Sequence, residues 1–142
     1  MRSGLILNIS EAANLAIHAL AFLAKRQDPS PVATAQVAGS LGVSEAHLSK
    51  VFQRLTRAGL VRSLRGPRGG FLLAKEAGEI NLLEIYEAID GRLRRDDTCM
   101  LSARECSLET CVFGNLLKDV HDQVEDHFEK TTLEALLEDA PG

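Results

Sequence analysis

The sequence predicts a mainly α fold: a winged helix-turn-helix domain with a small β-hairpin wing, followed by a long C-terminal dimerisation helix. Three observations lead there. Two short helical patterns between residues 34 and 57 flank Gly42. Ala38 and Leu48 supply the small residue and the apolar anchor that a tight interhelical turn requires. Two short β-prone runs, 60–64 and 71–75, bracket the turn-forming segment Arg65-Gly66-Pro67-Arg68-Gly69-Gly70. Nearer the C-terminus, Phe113, Leu116, Leu117, Val120, Val124 and Phe128 recur at helical spacing.

The first element is a helix capped by Ser10 and running to about residue 25, with Leu15, Ala16, Ala19, Leu20, Leu23 and Ala24 on its apolar face. Asp28-Pro29-Ser30-Pro31 breaks the chain. Thr34 is expected to cap the first helix of the motif. Ser44 should cap the second, whose inward face is Leu48, Val51, Phe52 and Leu55 and whose end is marked by Gly59. After the hairpin, Asn81 with Glu84 reads as a capping box for a helix over 82–90 that stops at Gly91. Residues 92–110 have no sustained periodicity. The long helix begins near Val112, and its opposite face carries Asp119, Asp122, Glu125, Asp126 and Glu129. Thr131 with Glu134 suggests a second capping box for a final short helix. This divides the chain into a winged helix-turn-helix domain over 1–91 with its core closed by residue 91, a cysteine-rich loop over 92–111, and a dimerisation helix and tail expected over 112–142.

A chain of 142 residues, 45% hydrophobic and 25% charged, can bury one sizeable core. Aromatic residues make up 4% and tryptophan is absent, which disfavours a stacking platform for single strands. No apolar run nears the ~18 residues that span a bilayer, and no signal-peptide pattern opens the chain. A cytoplasmic protein without a membrane partner is expected. There is no glycine-rich phosphate loop and no nucleophile–histidine pair, so an enzyme is not expected.

The net charge of −4 hides a strong segregation. Residues 46–75 contain Lys50, Arg54, Arg57, Arg62, Arg65, Arg68 and Lys75 and no Asp or Glu, whereas 118–142 hold two basic and eight acidic side chains. Phosphates respond to the local field, because screening at 0.1 M salt acts beyond about 10 Å. A helix-turn-helix with a wholly basic second helix and wing points to double-stranded DNA. Ser44, His47, Ser49 and Lys50 are the candidates for the groove-facing start of the second helix. Arg54 and Arg57 are expected nearer the backbone, and Arg65 and Arg68 at the minor groove. One such residue alone would be a solvated surface charge.

The three cysteines, Cys99, Cys106 and Cys111, fall within thirteen residues at spacing C-x6-C-x4-C, flanked by Arg92, Arg94, Arg95 and Arg104. An odd number cannot close into intramolecular disulfides, and positive neighbours favour thiolates. Metal or cluster ligation, a thiol redox switch and inert cysteines all remain open on spacing alone.

The order of elements, the stretch GLVRSLRGPRGGFLLAK and the cysteine trio together resemble the winged-helix transcriptional regulator family that includes IscR and NsrR, iron–sulfur cluster-sensing regulators. The likeness covers nearly the whole chain. It implies a homodimeric transcription factor on a double-stranded DNA operator, and a repressor is expected. Its affinity would be modulated by a labile iron–sulfur cluster, 2Fe–2S or 4Fe–4S, on Cys99, Cys106 and Cys111. Members similar to IscR have a histidine where Gly114 stands here. Members similar to NsrR use a carboxylate from the partner's first helix at the place matching Asn14. Asn14, Glu11 and His18 are therefore the candidates for the fourth ligand. The alternatives are a cluster-free thiol switch regulator and a redox or partner-binding protein that does not bind DNA.

Overall fold

The computed structural model describes residues 9–93 and 115–139. Its elements in order are α1 (Glu11–Lys25), α2 (Thr34–Leu41), α3 (Glu45–Arg57), β1 (Val61–Leu64), β2 (Gly70–Leu73), a 3-10 turn (Ala77–Glu79), α4 (Leu82–Asp90), α5 (Leu116–Lys130) and α6 (Leu133–Asp139). No helix among the described residues is long and apolar enough to cross a membrane.

Ser10 caps α1 by accepting a hydrogen bond from the Ala13 amide at 3.0 Å. Arg26 and Asp28 then form an ion pair at 3.4 Å. The Asp28 carboxyl lies below the usual carboxylate range, first because it accepts from the Ser30 amide and side chain, then because of Arg26. Gly42, at φ +68°, takes the left-handed turn between α2 and α3, and the Val43 amide reaches back to the Ala38 carbonyl at 3.0 Å. The expected cap at Thr34 is corrected by one residue. Ala33 is the N-cap and offers no side-chain bond, and Thr34 is already helical.

The hairpin is antiparallel, with Val61 opposite Leu73 and Leu64 opposite Gly70. Strands expected over 60–64 and 71–75 are shorter at their outer ends, although the Ala74 amide still bonds the Leu60 carbonyl at 3.0 Å. Lys75 leaves the ladder and pairs with Glu84 at 3.1 Å. Val32 also bridges Phe71, with Phe71 N–H to Val32 O at 2.8 Å and the reciprocal bond at 3.0 Å. This third contact tethers the wing to the chain entering α2.

The core does not close at residue 91. Leu133 is fully buried with Ile80, Leu20 and Ile85, and Phe128 joins the same cluster. A second bridge explains the closure. The Leu82 amide bonds the Thr131 carbonyl and the Leu133 amide bonds the Ile80 carbonyl, each at 2.9 Å. This bridge brings α6 against α1 and the 3-10 turn. It also shifts the last cap, since Thr132 rather than Thr131 accepts from the Ala135 amide at 3.1 Å. Glu134 instead lies over Gly78.

Helix α5 packs on α4, where Phe128 meets Tyr86 with ring centroids 5.8 Å apart. Burial, and then Asp90 and Glu87 nearby, push the Tyr86 hydroxyl above its ordinary pKa. Leu117 and Phe128 are buried and Val124 packs on the core, while Leu116 is 52% exposed. The apolar stripe thus divides between the protein's own core and an outer edge. Phe113 lies outside the described residues.

Candidate nucleic-acid interface and cofactor donors

Alternation of burial along α3 sets what this helix can offer. Leu48, Val51, Phe52 and Leu55 face the core, leaving Ala46, Lys50, Gln53, Arg54 and Arg57 exposed and His47 and Ser49 half-buried. Ser44 starts the helix, its Oγ accepting from the His47 amide at 3.1 Å, so the hydroxyl hydrogen remains available as a donor. Ser44 and Lys50 are thus exposed, whereas His47 and Ser49 sit at the edge of the outward face. Gln53 lies three residues beyond Lys50 on that face. Gln53 is not among the candidates that the sequence offers, although i,i+3 spacing from Lys50 marks it.

The wing is fixed to this helix by one aromatic pair. Phe52 and Phe71 stack with centroids 4.3 Å apart and planes 15° from parallel. Arg62, Arg65 and Arg68 are all exposed on it. The glycines at its tip are dictated by space. A Cβ on Gly69 would fall 2.2 Å from the Leu64 carbonyl oxygen. One on Gly70, at φ +153°, would fall 2.2 Å from the Val32 carbonyl oxygen.

The seven basic residues divide in use. Lys75 is paired with Glu84. Arg54, also exposed, donates one N–H from Nη1 to the Ile89 carbonyl at 2.9 Å. Among the described residues, Lys50, Arg57, Arg62, Arg65 and Arg68 form no ion pair. They make one uncompensated basic group across α3 and the wing, with Glu45 the only acid on α3.

Cys99, Cys106 and Cys111 lie outside the described residues, as do Arg94, Arg95 and Arg104. The three fourth-ligand candidates are described. Glu11, Asn14 and His18 form an exposed stripe on α1 and line one cavity of about 240 Å³ with Leu15, Leu41, Val43 and His47. His18 Nδ1 is 2.8 Å from the Asn14 carbonyl oxygen. A carbonyl only accepts, so Nδ1 is the donor and Nε2 is the ring nitrogen left to ligate. Metal-binding histidines are commonly held in this way. Elsewhere, His121, Asp122 and Glu125 on α5 bring one donor atom each within 4.8 Å of one another. His121 and Glu125 stand 3.9 Å apart, as i,i+4 pairs on an acidic helix do without a cation.

Residues 9–139 match the Rrf2 family, described as an iron-dependent transcriptional regulator. The chain is 30% identical over 132 residues to the HTH-type transcriptional regulator IscR of Pectobacterium atrosepticum, covering 92% of this chain and 79% of that one. Among solved structures it is similar to CymR, the global cysteine regulator of B. subtilis, with TM-score 0.79 and 26% identity. That likeness covers 95% of this chain and 99% of that one. It is also similar to T. potens IscR, with TM-score 0.75, 26% identity, and 95% and 89% of the two chains covered.

Proposed function

The chain belongs to the Rrf2 family of transcriptional regulators, and on that premise we propose that it is a homodimeric cytoplasmic repressor whose operator affinity follows the state of Cys99, Cys106 and Cys111. The observation that carries the DNA part is the uncompensated basic group Lys50, Arg57, Arg62, Arg65 and Arg68 on a recognition helix and wing locked by Phe52 and Phe71. Lys50 has the donors for a guanine edge or a phosphate, and Ser44 and His47 can bond either. Ser49, half-buried at the margin of that face, completes the proposed set with a hydroxyl able to bond a phosphate or a base edge.

Three thiols are a soft donor set suited to an iron–sulfur cluster, and the likeness to IscR supports that occupant. When bound, a cluster supplies a covalent tie between three points of the segment joining α4 to α5. Of the candidates for the fourth ligand, His18 has the donor best prepared, because its Nδ1–H is held by Asn14 and its Nε2 is free to ligate. Glu11 shares its cavity and is the next choice. The Asn14 side-chain amide is the weakest donor of the three. The likeness to CymR favours a second reading, in which the same cysteines act as a cluster-free thiol switch. Iron and acid-labile sulfide measured on anaerobic protein separate the two.

Dimerisation through the outer edge of α5 is supported by Leu116, which is 52% exposed beside the half-buried Val120. A helix-turn-helix dimer reads half-sites about 34–36 Å apart, and a monomer binds only one. Leu116→Glu should yield monomers by analytical ultracentrifugation at micromolar concentration and lose cooperative operator binding. A wild-type monomer at that concentration would remove the dimer from the account. Leu117 is a poor probe, since it is buried within the chain and its loss would confound folding with assembly.

A further inference from the structure

The end of α4 is held by two distant parts of the fold, and both holds lie just ahead of the cysteines. Ile89 has one of the last four carbonyls of α4, which have no partner within the helix, and a cation is favoured at that end. Arg54 fills the role from the recognition helix, its Nη1 bonding Ile89 O at 2.9 Å. The next residue, Asp90, accepts from the Ser10 amide at 3.0 Å and from the Ser10 hydroxyl. Ser10 is the N-cap of α1, the helix that carries Glu11, Asn14 and His18. Gly91 then turns the chain at φ +83°, and the Leu93 amide is caught by the Glu87 carboxylate at 3.2 Å. Cys99 follows Asp90 by nine positions.

We propose that Arg54 is a positioning residue that couples the cysteine segment to the recognition helix through Ile89 O, and is not a phosphate contact. One N–H of its guanidinium, on Nη1, is held by α4 across 35 positions of sequence, while Lys50 and Arg57 on the same helix have no such partner. Ile89 and Asp90 are the last residues of α4, and Gly91 follows them at the turn that leads to the cysteine segment. Arg54 passes a displacement of Ile89 to α3, and Ser10 passes a displacement of Asp90 to α1. The inference rests on the proposed function, in which the state of the cysteines modulates operator affinity.

The test uses the full chain and a duplex selected by the wild-type protein from a random pool. Binding is titrated across a salt series for anaerobic iron–sulfur-loaded protein and for protein stripped by chelation. For Arg54→Ala the loaded-to-stripped affinity ratio should fall to within about twofold of one, with the salt slope of the stripped form unchanged. Arg54→Lys, which keeps a donor and the charge, should restore part of the ratio. Asp90→Ala removes an acidic side chain and no basic one, and should also shrink the ratio. If Arg54→Ala weakens both forms equally and flattens the salt slope by about 0.9, the amount expected for one phosphate, Arg54 is a phosphate contact and the inference fails. Should Arg54→Ala not fold, Arg54→Met, which keeps the aliphatic stem and removes the donors, takes its place, and the full wild-type ratio in that protein overturns the inference. A wild-type ratio of one removes the proposed function as well. A wild-type ratio far from one that survives in the variants removes the inference alone.

Discussion

Gly70→Ala is expected to destabilise the fold by about 3–5 kcal/mol, the range in which backbone strain is joined by the rupture of a defined interaction. Gly70 sits at φ +153°, where a side chain is strained in any surroundings, and its Cβ would lie 2.2 Å from Val32 O and 2.8 Å from the Ala33 nitrogen. These are backbone atoms, so no side chain can swing aside. Relief requires breaking the Val32–Phe71 bridge, which releases the wing and with it the stack of Phe71 on Phe52. Gly39→Ala provides the contrast. It lies within α2 with nothing within 4 Å of its Cβ, so the same substitution should stabilise by up to about 1 kcal/mol. Urea melts on both variants read the opposite signs. Equal midpoints would mean that the bridge carries no stability.

Alanine at Arg65 and Arg68 together should reduce operator affinity by at least 10- to 100-fold. Each arginine contributes about 1–3 kcal/mol if it reads a base edge, whereas a phosphate contact is seen mainly as a salt slope lower by about 0.9. Both residues are exposed at the hairpin tip with no ion pair among the described residues, so the substitution takes nothing from the core and melting should be unchanged. Their reach depends on the tip glycines, which let the chain turn where a Cβ would strike the Leu64 carbonyl oxygen. Anisotropy titrations across a salt series distinguish base contact from phosphate contact. Wild-type affinity and slope in the double variant would exclude the wing from the interface.

Local signals in the sequence were strong wherever one residue has one geometric use. Gly42, Gly59 and Gly91 mark their left-handed turns, Asn81 and Glu84 form both bonds of their capping box, and the apolar face of α3 is as its spacing implies. Caps between competing neighbours were not legible. Thr34 and Thr131 each had the right chemistry but stand one residue from the cap, because tertiary contacts at Val32 and Thr132 set where the chain enters the helix. Those two bridges join segments 39 and 51 positions apart, and no periodicity encodes them. The same reason hid the closure of the core by Leu133. For the candidate site, the basic run marked the candidate interface, but charge alone could not tell Arg54, bonded to Ile89 O, from Lys50, which has no such partner.

If the state of three cysteines sets operator affinity, a single titration of one preparation in two states will show it. Anaerobic protein is assayed for iron and sulfide, then titrated with a selected operator duplex before and after the iron is chelated. The account predicts stoichiometric iron and sulfide and an affinity change of about 10- to 100-fold, equivalent to roughly 1.4–2.7 kcal/mol of coupling. Cys106→Ser should abolish both the visible absorption and the change. His18→Ala should lower cluster retention while leaving the stripped form's affinity unaltered. Protein that keeps all three thiols reduced yet never acquires stoichiometric iron and sulfide, or that binds the operator equally in both states, would contradict the account.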